Sequence, residues 1–398
     1  MTAPPWIDTR FRLTEYGETL GWPSLALRAG ALEQAFRAGH GRAVIDGNRV
    51  ATVIAALVAA ERAGVELALR RPGAEVPDGF PAADGFSVLL PTSGTTGTPK
   101  LIRHGLDRLR GRLRGTGDHG ARWLLTYEPA SFAGLQVILT ALAAGAELVA
   151  APGEGAAGLA RAAVAAGVTR ISGTPSFWRA FLMAVGDRRP PLASITLGGE
   201  AADQPLLDRL AAAFPGVPLR HVYASTEAGS LFAVADGRAG FPAAWLDDGI
   251  DGVRLRIADG ILQVNSPRAM LGGVAGKGGW LDTGDRVVVS GDRVLFVGRA
   301  DGRVNVGGVK VSAEEAEALI LACPLVADAL VAAVPNPITG HILTAAVVPA
   351  AGADPGLVRA GVRDAVAGLV PAARPRVVTL VESIPLDSTG KKRRRVEP

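Results

Sequence analysis

Residues 86–100 read Phe-Ser-Val-Leu-Leu-Pro-Thr-Ser-Gly-Thr-Thr-Gly-Thr-Pro-Lys, an apolar run followed by a loop rich in glycine and threonine. The apolar run is typical of a buried strand. In the loop, glycines let backbone N–H groups point inward, hydroxyls donate hydrogen bonds, and Lys100 adds a positive charge. This composition favours a phosphate-binding loop over its alternative, a polar surface turn. It is not a Walker loop, because Pro99 precedes the lysine and Leu101 follows it.

Beyond this loop, short apolar and β-branched runs alternate with Ala/Leu-rich segments of helical length. The predicted strands are 123–127, 170–172, 194–197 and 219–223. Strands that alternate with helices indicate a parallel sheet covered by helices. The predicted fold class is therefore α/β.

The pattern changes after residue 227 to short strands separated by Gly/Asp turns. Residues 286–290 and 293–297 predict a hairpin, which indicates a small barrel-like β region. Farther on, Ser312-Ala-Glu-Glu315 is a capping box that opens an amphipathic helix. We predict a large N-terminal domain over residues 1–299 and a small, mobile α+β C-terminal domain over residues 302–398. Residues 1–85 give no prediction.

Composition limits the class of protein. The chain has 398 residues, of which 48% are hydrophobic and 20% charged, as expected for a globular protein of more than one domain. It has no long apolar segment, no secretory pattern at its start and a single cysteine, Cys323, so we expect a cytoplasmic protein without disulfides or a membrane partner. The net charge is +4 and the run 391–395 contributes five positive charges, which argues against nucleic acid as a partner. The histidines show no metal-ligand spacing, which argues against a zinc site.

Further strings follow the loop in a fixed order. They are Tyr223-Ala-Ser-Thr-Glu227, Trp280-Leu-Asp-Thr-Gly-Asp285, Gly298-Arg-Ala-Asp301 with Gly307-Gly308, and Pro385-Leu-Asp-Ser-Thr-Gly-Lys391. Together with residues 92–100 they resemble the motifs of the adenylate-forming (ANL) superfamily, whose members include acyl- and aryl-CoA ligases, adenylation domains of nonribosomal peptide synthetases, and luciferases. The resemblance covers the chain from about residue 86 to its end.

The resemblance implies an ATP site built from several motifs. Tyr223 would lie against adenine, and Asp285 would accept hydrogen bonds from both ribose hydroxyls, with Arg299 at the same sugar. Thr226 would bind the α-phosphate, and Glu227 would ligate Mg²⁺, a cation that prefers carboxylates. The remaining nucleotide-binding residues implied by the resemblance are Thr92, Ser93, Gly94, Thr95, Thr96, Gly97, Lys100, Gly199 and Glu200.

The resemblance also implies the catalytic group. Lys391 would reach the acid's carboxylate and the α-phosphate and stabilise developing charge, with Thr226 and Glu227 as the other catalytic residues. The alternative for each of these residues is a role outside the active site. It would be a charged side chain in a loop, a charged side chain at the start of a helix, or the first residue of a solvated basic tail. The spacing from Pro385 to Lys391 supports a catalytic role for Lys391. Residues 392–395 are expected to be a run of basic side chains in solvent.

The implied reaction has two half-reactions. A carboxylate attacks the α-phosphate of ATP and releases pyrophosphate, and the thiol of coenzyme A then displaces AMP from the acyl-adenylate. In such enzymes the small domain turns about a hinge, here Asp301, so that Lys391 serves the first half-reaction. The Gly307-Gly308 loop would serve the second, as a thiol channel, because a pantetheine arm needs close backbone approach.

The acid pocket is expected to have small, mostly neutral walls. No aspartate is placed to hold an α-amino group, so we expect a small aromatic, benzoate-type acid, with a medium acyl chain as the alternative. The sequence departs from the family pattern in its short first lobe, in Ala224 for a glycine, in Asn305 for a lysine, and in Phe132 where a gating histidine is usual. The predicted pocket residues are Ser131, Phe132, Gly134, Thr174, Gly198, Ala224, Ser225 and Gly229.

The leading hypothesis is an acid:CoA ligase that uses ATP, Mg²⁺ and CoA. One alternative is an enzyme that transfers the same adenylate to the phosphopantetheine of a carrier protein. Another is a catalytically silent nucleotide-binding homologue, suggested by Asn305 and the short first lobe. The partners expected are a small carboxylic acid and CoA or a carrier protein, and the chain could be a monomer or a homodimer.

Overall fold

The computed structural model describes residues 2–39, 41–71, 81–91, 101–110, 118–225, 228–267, 278–387 and 389–394. Strands and helices alternate over most of this length. The strands are β1 (Arg12–Glu15), β2 (Glu18–Gly21), β3 (Arg42–Asp46), β4 (Glu66–Arg70), β5 (Ser87–Pro91), β6 (Leu101–His104), β7 (Arg122–Leu125), β8 (Glu147–Ala150), β9 (Arg170–Gly173), β10 (Ser194–Gly198), β11 (Leu219–Ser225), β12 (Gly229–Val234), β13 (Phe241–Pro242), β14 (Arg254–Ala258), β15 (Ile261–Asn265), β16 (Leu281–Ser290), β17 (Arg293–Arg299), β18 (Arg303–Val306), β19 (Val309–Ser312), β20 (Val326–Asn336), β21 (Gly340–Pro349) and β22 (Val377–Leu380). The α-helices are α1 (Trp22–Ala38), α2 (Val50–Ala63), α3 (Leu106–Arg110), α4 (Phe132–Ala144), α5 (Ala156–Ala165), α6 (Pro175–Val185), α7 (Gln204–Ala213), α8 (Trp245–Asp248), α9 (Ala313–Leu321) and α10 (Pro355–Ala365), and a 3₁₀ turn covers Pro371–Ala373.

The largest sheet has eight strands in the order β12-β11-β10-β9-β7-β8-β1-β2. Its six inner strands run parallel, and the two edge strands, β12 and β2, pair antiparallel to their neighbours. The strands predicted at 123–127, 170–172, 194–197 and 219–223 all lie in this sheet, within two residues of their expected ends, whereas the strand predicted in the apolar run after Phe86 is β5 of a second sheet. The predicted parallel α/β sheet is therefore confirmed.

Helices cover both faces of this sheet, as alternating side chains show. Leu124 packs into a core formed with α5, α6 and α7, whereas its neighbour Leu125 packs into a second core with α1, α2 and α4. Successive residues of a strand point to opposite faces, so one short apolar run serves two cores. Helix α2 is buried on every side over residues 50–60, and its core also includes residues of β4 and β5 from a four-stranded sheet, β3-β4-β5-β6.

A five-stranded antiparallel sheet, β13-β17-β16-β15-β14, follows the main sheet along the chain. The predicted hairpin is present as β16 and β17, which pair from Ser290 opposite Arg293. Its core is mainly aliphatic and is shared with β12, and it includes the buried rings of Phe232 on β12 and Phe241 on β13. This sheet lies beside β11 and β12. The start of β16 and the end of β17 face the large cleft of the protein.

The C-terminal part has a separate core. That core contains buried residues only from Val306 to Ala373, contributed by α9, α10 and the sheet β20-β21-β22. Helix α9 begins as expected, because the Ser312 hydroxyl accepts a hydrogen bond from the Glu315 amide at 3.3 Å. The same hydroxyl donates to Glu314, so Glu314 is the acid that contacts the cap. This independent core supports the proposed small domain over residues 302–398.

The region before residue 86, for which no prediction was made, contains β1–β4 and the helix pair α1 and α2 between Arg12 and Arg70. Helix α2 lacks an amphipathic pattern because it is surrounded by protein. In the described part of the chain, no helix combines the length and the apolarity needed to cross a bilayer.

Candidate functional site

One large cleft lies at the carboxyl ends of the parallel strands β9, β10 and β11. Parallel strands bring their carboxyl ends to one edge of a sheet, which is where ligands bind in open α/β folds. The predicted site residues that line the cleft are Ser131, Phe132, Thr174, Gly198, Gly199, Glu200, Tyr223, Ala224, Ser225, Asp285, Arg299, Asp301 and Lys391.

Asp285, Arg299 and Tyr223 form a connected group at one end of the cleft. Asp285 and Arg299 are directly opposite each other on β16 and β17, and the Arg299 Nη1 lies 3.1 Å from the Asp285 Oδ1. The Tyr223 hydroxyl donates to the other carboxylate oxygen of Asp285. Each carboxylate oxygen has a second lone pair, so Asp285 retains acceptor sites for two further hydroxyls.

The pKa values in this group follow from its burial. Burial raises the pKa of Asp285 above the usual aspartate value, although the Tyr223 hydrogen bond and Arg299 oppose that shift. Burial, together with the Asp285 charge, raises the pKa of Tyr223 well above 10.0. Tyr223 therefore keeps its proton near neutral pH and remains a donor to Asp285.

The Tyr223 ring is held by two other aromatic rings. Its centroid lies 5.2 Å from that of Phe232 and 5.0 Å from that of Phe296, both at an interplanar angle of 31°. These contacts and the Asp285 hydrogen bond fix the ring plane at the cleft. Its predicted contact with adenine stays a prediction.

Lys391 reaches the cleft because its backbone is fixed by the residues before it. The Thr174 hydroxyl donates to the Gly390 carbonyl oxygen and also caps α6 by accepting from the Phe177 amide at 3.0 Å. Asp387 Oδ1 accepts from the Lys391 amide at 3.0 Å. The Lys391 side chain passes Gly199, since a Cβ built on Gly199 would lie 3.6 Å from the Lys391 Cε. This contact also crosses between the two domains.

Gly199 and Glu200 lie where β10 leads into the cleft. Gly199 has a φ of +82°, a left-handed conformation that favours glycine. Glu200 Oε2 accepts from the Ser176 amide at 3.0 Å, so this carboxylate lies at the N-terminus of α6. A carboxylate is stabilised there by the helix dipole.

Ser131 and Gly134, both predicted for the acid pocket, have structural roles at the start of α4. Ser131 caps α4 by accepting from the Gly134 amide at 2.9 Å, and it donates to the Glu128 carbonyl at 2.7 Å. A Cβ on Gly134 would lie 2.1 Å from that same carbonyl oxygen, so only glycine fits. Gly134 does not line the cleft, whereas Ser131 does.

Of the other predicted pocket residues, Phe132 and Ser225 line the cleft, whereas Gly229 does not. Phe132 is 9% exposed, and its ring centroid lies 5.5 Å from that of His104. Burial, with a smaller effect of Arg108, lowers the pKa of His104 to about 4, so this imidazole is neutral at pH 7. Ser225 accepts from the Ala228 amide at 3.0 Å, which leads the chain to Gly229 at the start of β12.

The predicted hinge and thiol-channel residues are in different surroundings. Asp301 Oδ1 accepts from the Arg299 Nε at 3.0 Å and lines the cleft. Gly307 and Gly308 form the exposed turn between β18 and β19, where the Gly307 amide donates to the Thr339 carbonyl at 2.9 Å. That turn does not line the cleft that Lys391 enters.

Several predicted residues lie outside the described ranges. They are Thr92, Ser93, Gly94, Thr95, Thr96, Gly97, Lys100, Thr226 and Glu227. Their roles, including Mg²⁺ ligation by Glu227, stay predictions. Within the described ranges, no group of three His, Cys, Asp or Glu side chains is placed to hold a metal ion.

The structure adds residues that sequence reasoning missed. Tyr127 lines the cleft, is 7% exposed, and has its pKa raised above 10.0 chiefly by burial. Arg71 also lines the cleft, and its Nε lies 3.3 Å from the Glu128 Oε2. Arg71 directly follows β4, which is parallel to the strand that leads into residues 92–100, and this pairing is known only from the structure.

One sequence prediction was wrong. Lys392 was expected in a solvated run, but its side chain is 4% exposed and pairs with Glu317 and Asp328. Its partners lie more than sixty residues away in sequence, so a run of basic residues gave no sign of them. Arg394, 40% exposed, also pairs with Glu317, at 2.9 Å.

Comparisons with known proteins agree with this architecture. Residues 25–259 match the family described as AMP-binding enzyme, and residues 315–391 match the AMP-binding enzyme C-terminal domain. The anthranilate CoA ligase AuaEII, solved with anthranoyl-AMP, superposes with a TM-score of 0.75 at 17% identity, covering 98% of this chain and 93% of that one. The amide bond synthetase McbA of Marinactinospora thermotolerans superposes with a TM-score of 0.68 at 21% identity, covering 96% and 94%.

Curated relatives are similar over most of this chain. A probable 2-succinylbenzoate–CoA ligase of Mycobacterium tuberculosis is 28% identical over 77% of this chain and 82% of its own length. The phosphinothricin tripeptide synthetase PhsB of Streptomyces viridochromogenes is 29% identical over 82% of this chain, which spans 31% of that longer protein. One family match lies within each predicted domain, and residues 260–314 lie between the two matches. The chain belongs to the AMP-binding enzyme family, within the adenylate-forming superfamily that its motifs resemble.

Proposed function

We propose that this protein activates a carboxylic acid with ATP and transfers the acyl group to the thiol of coenzyme A. The observation that carries the proposal is the position of Lys391, which enters the cleft beside Gly199 and Thr174. The Asp285 group lies in the same cleft, and the Lys391 charge acts on the Asp285 carboxylate. A nucleotide bound through its sugar at Asp285 would thus extend its phosphates toward Lys391.

In the first half-reaction, a carboxylate oxygen of the acid attacks the α-phosphorus of ATP. The bond to the bridging oxygen breaks, pyrophosphate leaves, and an acyl-adenylate remains. Asp285 would accept the ribose hydroxyls, and Lys391 would neutralise the charge that develops between carboxylate and phosphate. Bound Mg²⁺, used with ATP in this family, would neutralise phosphate charge, with Glu227 as the predicted ligand.

In the second half-reaction, the CoA sulfur attacks the acyl carbonyl carbon, the thiol gives up its proton, and AMP leaves. Gly307 and Gly308 are exposed and outside the cleft while Lys391 is inside it. One orientation of the small domain therefore cannot bring both to the same adenylate. This supports a turn of that domain about the Asp301 segment between half-reactions.

We infer that the acid is small and aromatic. The cleft wall offers Phe132, neutral His104 behind it, and the Tyr127 hydroxyl, a combination that suits a ring carrying a polar substituent. The similarity to named aryl-acid ligases supports the same class. Transfer to a carrier protein is the second candidate, supported by the similarity to peptide synthetases.

The test is ATP–pyrophosphate exchange with Mg²⁺ across benzoic, cinnamic, fatty and amino acids, followed by addition of CoA to the best acid. We expect exchange with a benzoate-type acid and formation of its CoA thioester. Exchange only with fatty acids would contradict the aryl assignment. Exchange without a thioester would favour the carrier-protein acceptor, and no exchange with any acid would favour the silent homologue.

Lys391→Ala tests the role of the catalytic residue. We expect it to abolish exchange while transfer of the acyl group from a preformed adenylate to CoA continues. Equal loss of both half-reactions would contradict the assigned role.

A further inference from the structure

A buried cluster of charged side chains joins the two domains next to Lys391. Lys392 and Asp328 belong to the small domain, and Arg179 on α6 belongs to the large domain. Their side chains are 4%, 1% and 4% exposed, respectively. Charges so deeply buried need partners to offset the cost of leaving water.

The small-domain half of this cluster fixes the residue that follows Lys391. The Lys392 Nζ lies 2.9 Å from the Asp328 Oδ1 and 3.0 Å from the Glu317 Oε1, and it donates to the Ala329 carbonyl at 2.6 Å. All three donor directions of the ammonium are used. The backbone at Lys392 is thereby tied to β20 and α9, and Lys391 is its direct neighbour.

The large-domain half anchors the same strand. The Arg179 Nε lies 3.8 Å from the Asp328 Oδ1, and its Nη2 donates to Asp203, the cap of α7. Six residues after Asp203, on α7, Arg209 Nη1 donates to the Ala327 carbonyl at 2.7 Å. Two arginines of the large domain thus contact adjacent residues of β20.

Asp328 and Arg179 each have an oppositely charged partner within their own domain. Asp328 keeps Lys392 as a partner if the domains separate, and Arg179 keeps Asp203. Separation of the two domains therefore leaves neither Asp328 nor Arg179 without an oppositely charged partner. Within this cluster it breaks only the Arg179–Asp328 pair and the hydrogen bond from Arg209 to the Ala327 carbonyl. Such an arrangement suits a contact that must form and break in each catalytic cycle.

We propose that Asp328 is a positioning residue for adenylate formation. Paired with Lys392 on its own domain, it docks on Arg179 and so holds the small domain in the orientation that places Lys391 in the cleft. This inference rests on the proposed function, because it assigns the Arg179–Asp328 pair to one half-reaction. The pair assists adenylate formation and is not needed for transfer of the acyl group to CoA.

The test compares both half-reactions in an Arg179→Gln variant. We expect kcat for ATP–pyrophosphate exchange to fall about tenfold, a typical size for coupling between a contact and a conformational equilibrium. The rate of acyl transfer from a preformed adenylate to CoA should not fall. Arg189→Gln is the matched control, because Arg189 is an exposed arginine of the same domain that contacts the Ala213 carbonyl and Phe214.

A double-mutant cycle separates the pair from general destabilisation. Asp328→Asn should lower exchange in the same direction, and adding it to Arg179→Gln should cost less than the two single losses combined, since both remove one contact. Equal loss of both half-reactions, no loss of exchange, strict additivity, or an equal effect of Arg189→Gln would each overturn the proposal.

A measurement of domain orientation does not depend on activity. In a Cys323→Ser background, spin labels at Arg188→Cys and Arg363→Cys, both exposed, report the distance between the large and small domains. We expect one main distance with Arg179 intact and a broadened or longer distribution in Arg179→Gln. Identical distributions would overturn the inference, whereas failure of exchange with every acid would count against the proposed function alone.

Discussion

Removing the Tyr223 hydroxyl should change the pH at which the enzyme loses its affinity for nucleotide. In Tyr223→Phe, Asp285 loses a hydrogen bond to one carboxylate oxygen but keeps the Arg299 Nη1 at 3.1 Å on the other. Burial already raises the pKa of Asp285, and the Tyr223 bond opposes this shift. The substitution therefore raises the Asp285 pKa further.

The size of the shift follows from the strength of the bond. A hydrogen bond to a charged group is worth about 1.5–3 kcal/mol, and one pKa unit corresponds to about 1.4 kcal/mol. Loss of that energy from the ionised form alone would make protonation of Asp285 more favourable by the same amount. Because a protonated carboxyl also accepts weakly from the tyrosine, we expect about a tenfold lower kcat/KM below the acid limb.

The assay is the pH dependence of kcat/KM for ATP in pyrophosphate exchange, which reports the pKa values of the free enzyme. In the proposed site, ionised Asp285 would accept hydrogen bonds from the ribose hydroxyls, so we expect activity to fall as the pH drops through the Asp285 pKa. The acid limb should therefore lie at higher pH in Tyr223→Phe. Tyr127→Phe, the same change at another buried cleft tyrosine, should leave the position of that limb unchanged. An unmoved limb, a limb at lower pH, or an equal shift in the control would refute the reasoning.

Three further substitutions test the supports of the site. Thr174→Ala should lower the free energy of unfolding, measured with urea, by about 1 kcal/mol through loss of the α6 cap. It should also slow ATP–pyrophosphate exchange, because the Gly390 carbonyl loses the Thr174 hydroxyl that donates to it. Thr174→Ser should restore both the stability and the exchange rate. Glu66→Gln, which leaves two arginines without their buried carboxylate, should destabilise the fold by about 3 kcal/mol at pH 7. Burial raises the Glu66 pKa, but the two arginines lower it below the usual glutamate value. The stabilisation by ionised Glu66 is therefore present above the pKa of the unfolded state and is lost as the pH falls. The difference in free energy of unfolding between wild type and variant, measured with urea, should accordingly disappear in acid, and a difference that does not change with pH would contradict this. Gly134→Ala should cost about 1–3 kcal/mol because its Cβ meets the Glu128 carbonyl, whereas Gly120→Ala, with open space, should be neutral; equal unfolding midpoints for these two variants would contradict the packing argument.

The sequence by itself determined the parallel sheet and the residues that reach its edge. Short apolar runs such as 194–197 predicted strands because a buried strand needs no polar face, and their regular alternation with helices fixed their direction. The resemblance of short motifs to those of the adenylate-forming superfamily pointed to Asp285, Arg299 and Lys391, since the residues of each motif are close in the chain. The cap at Ser312 was equally local, and the structure confirms it.

Only the tertiary structure decided how these residues are held. Helix α2 carries no face pattern because it is buried on all sides, so periodicity could not reveal it. Tyr223 and Asp285 bond across 62 residues, and Lys392 meets Glu317 across 75. Whether a basic residue is solvated or buried depends on which distant strand and helix pack over it. Local composition does not record that packing, and so the same run of five basic residues contains the proposed catalytic lysine and a buried ion pair beside it.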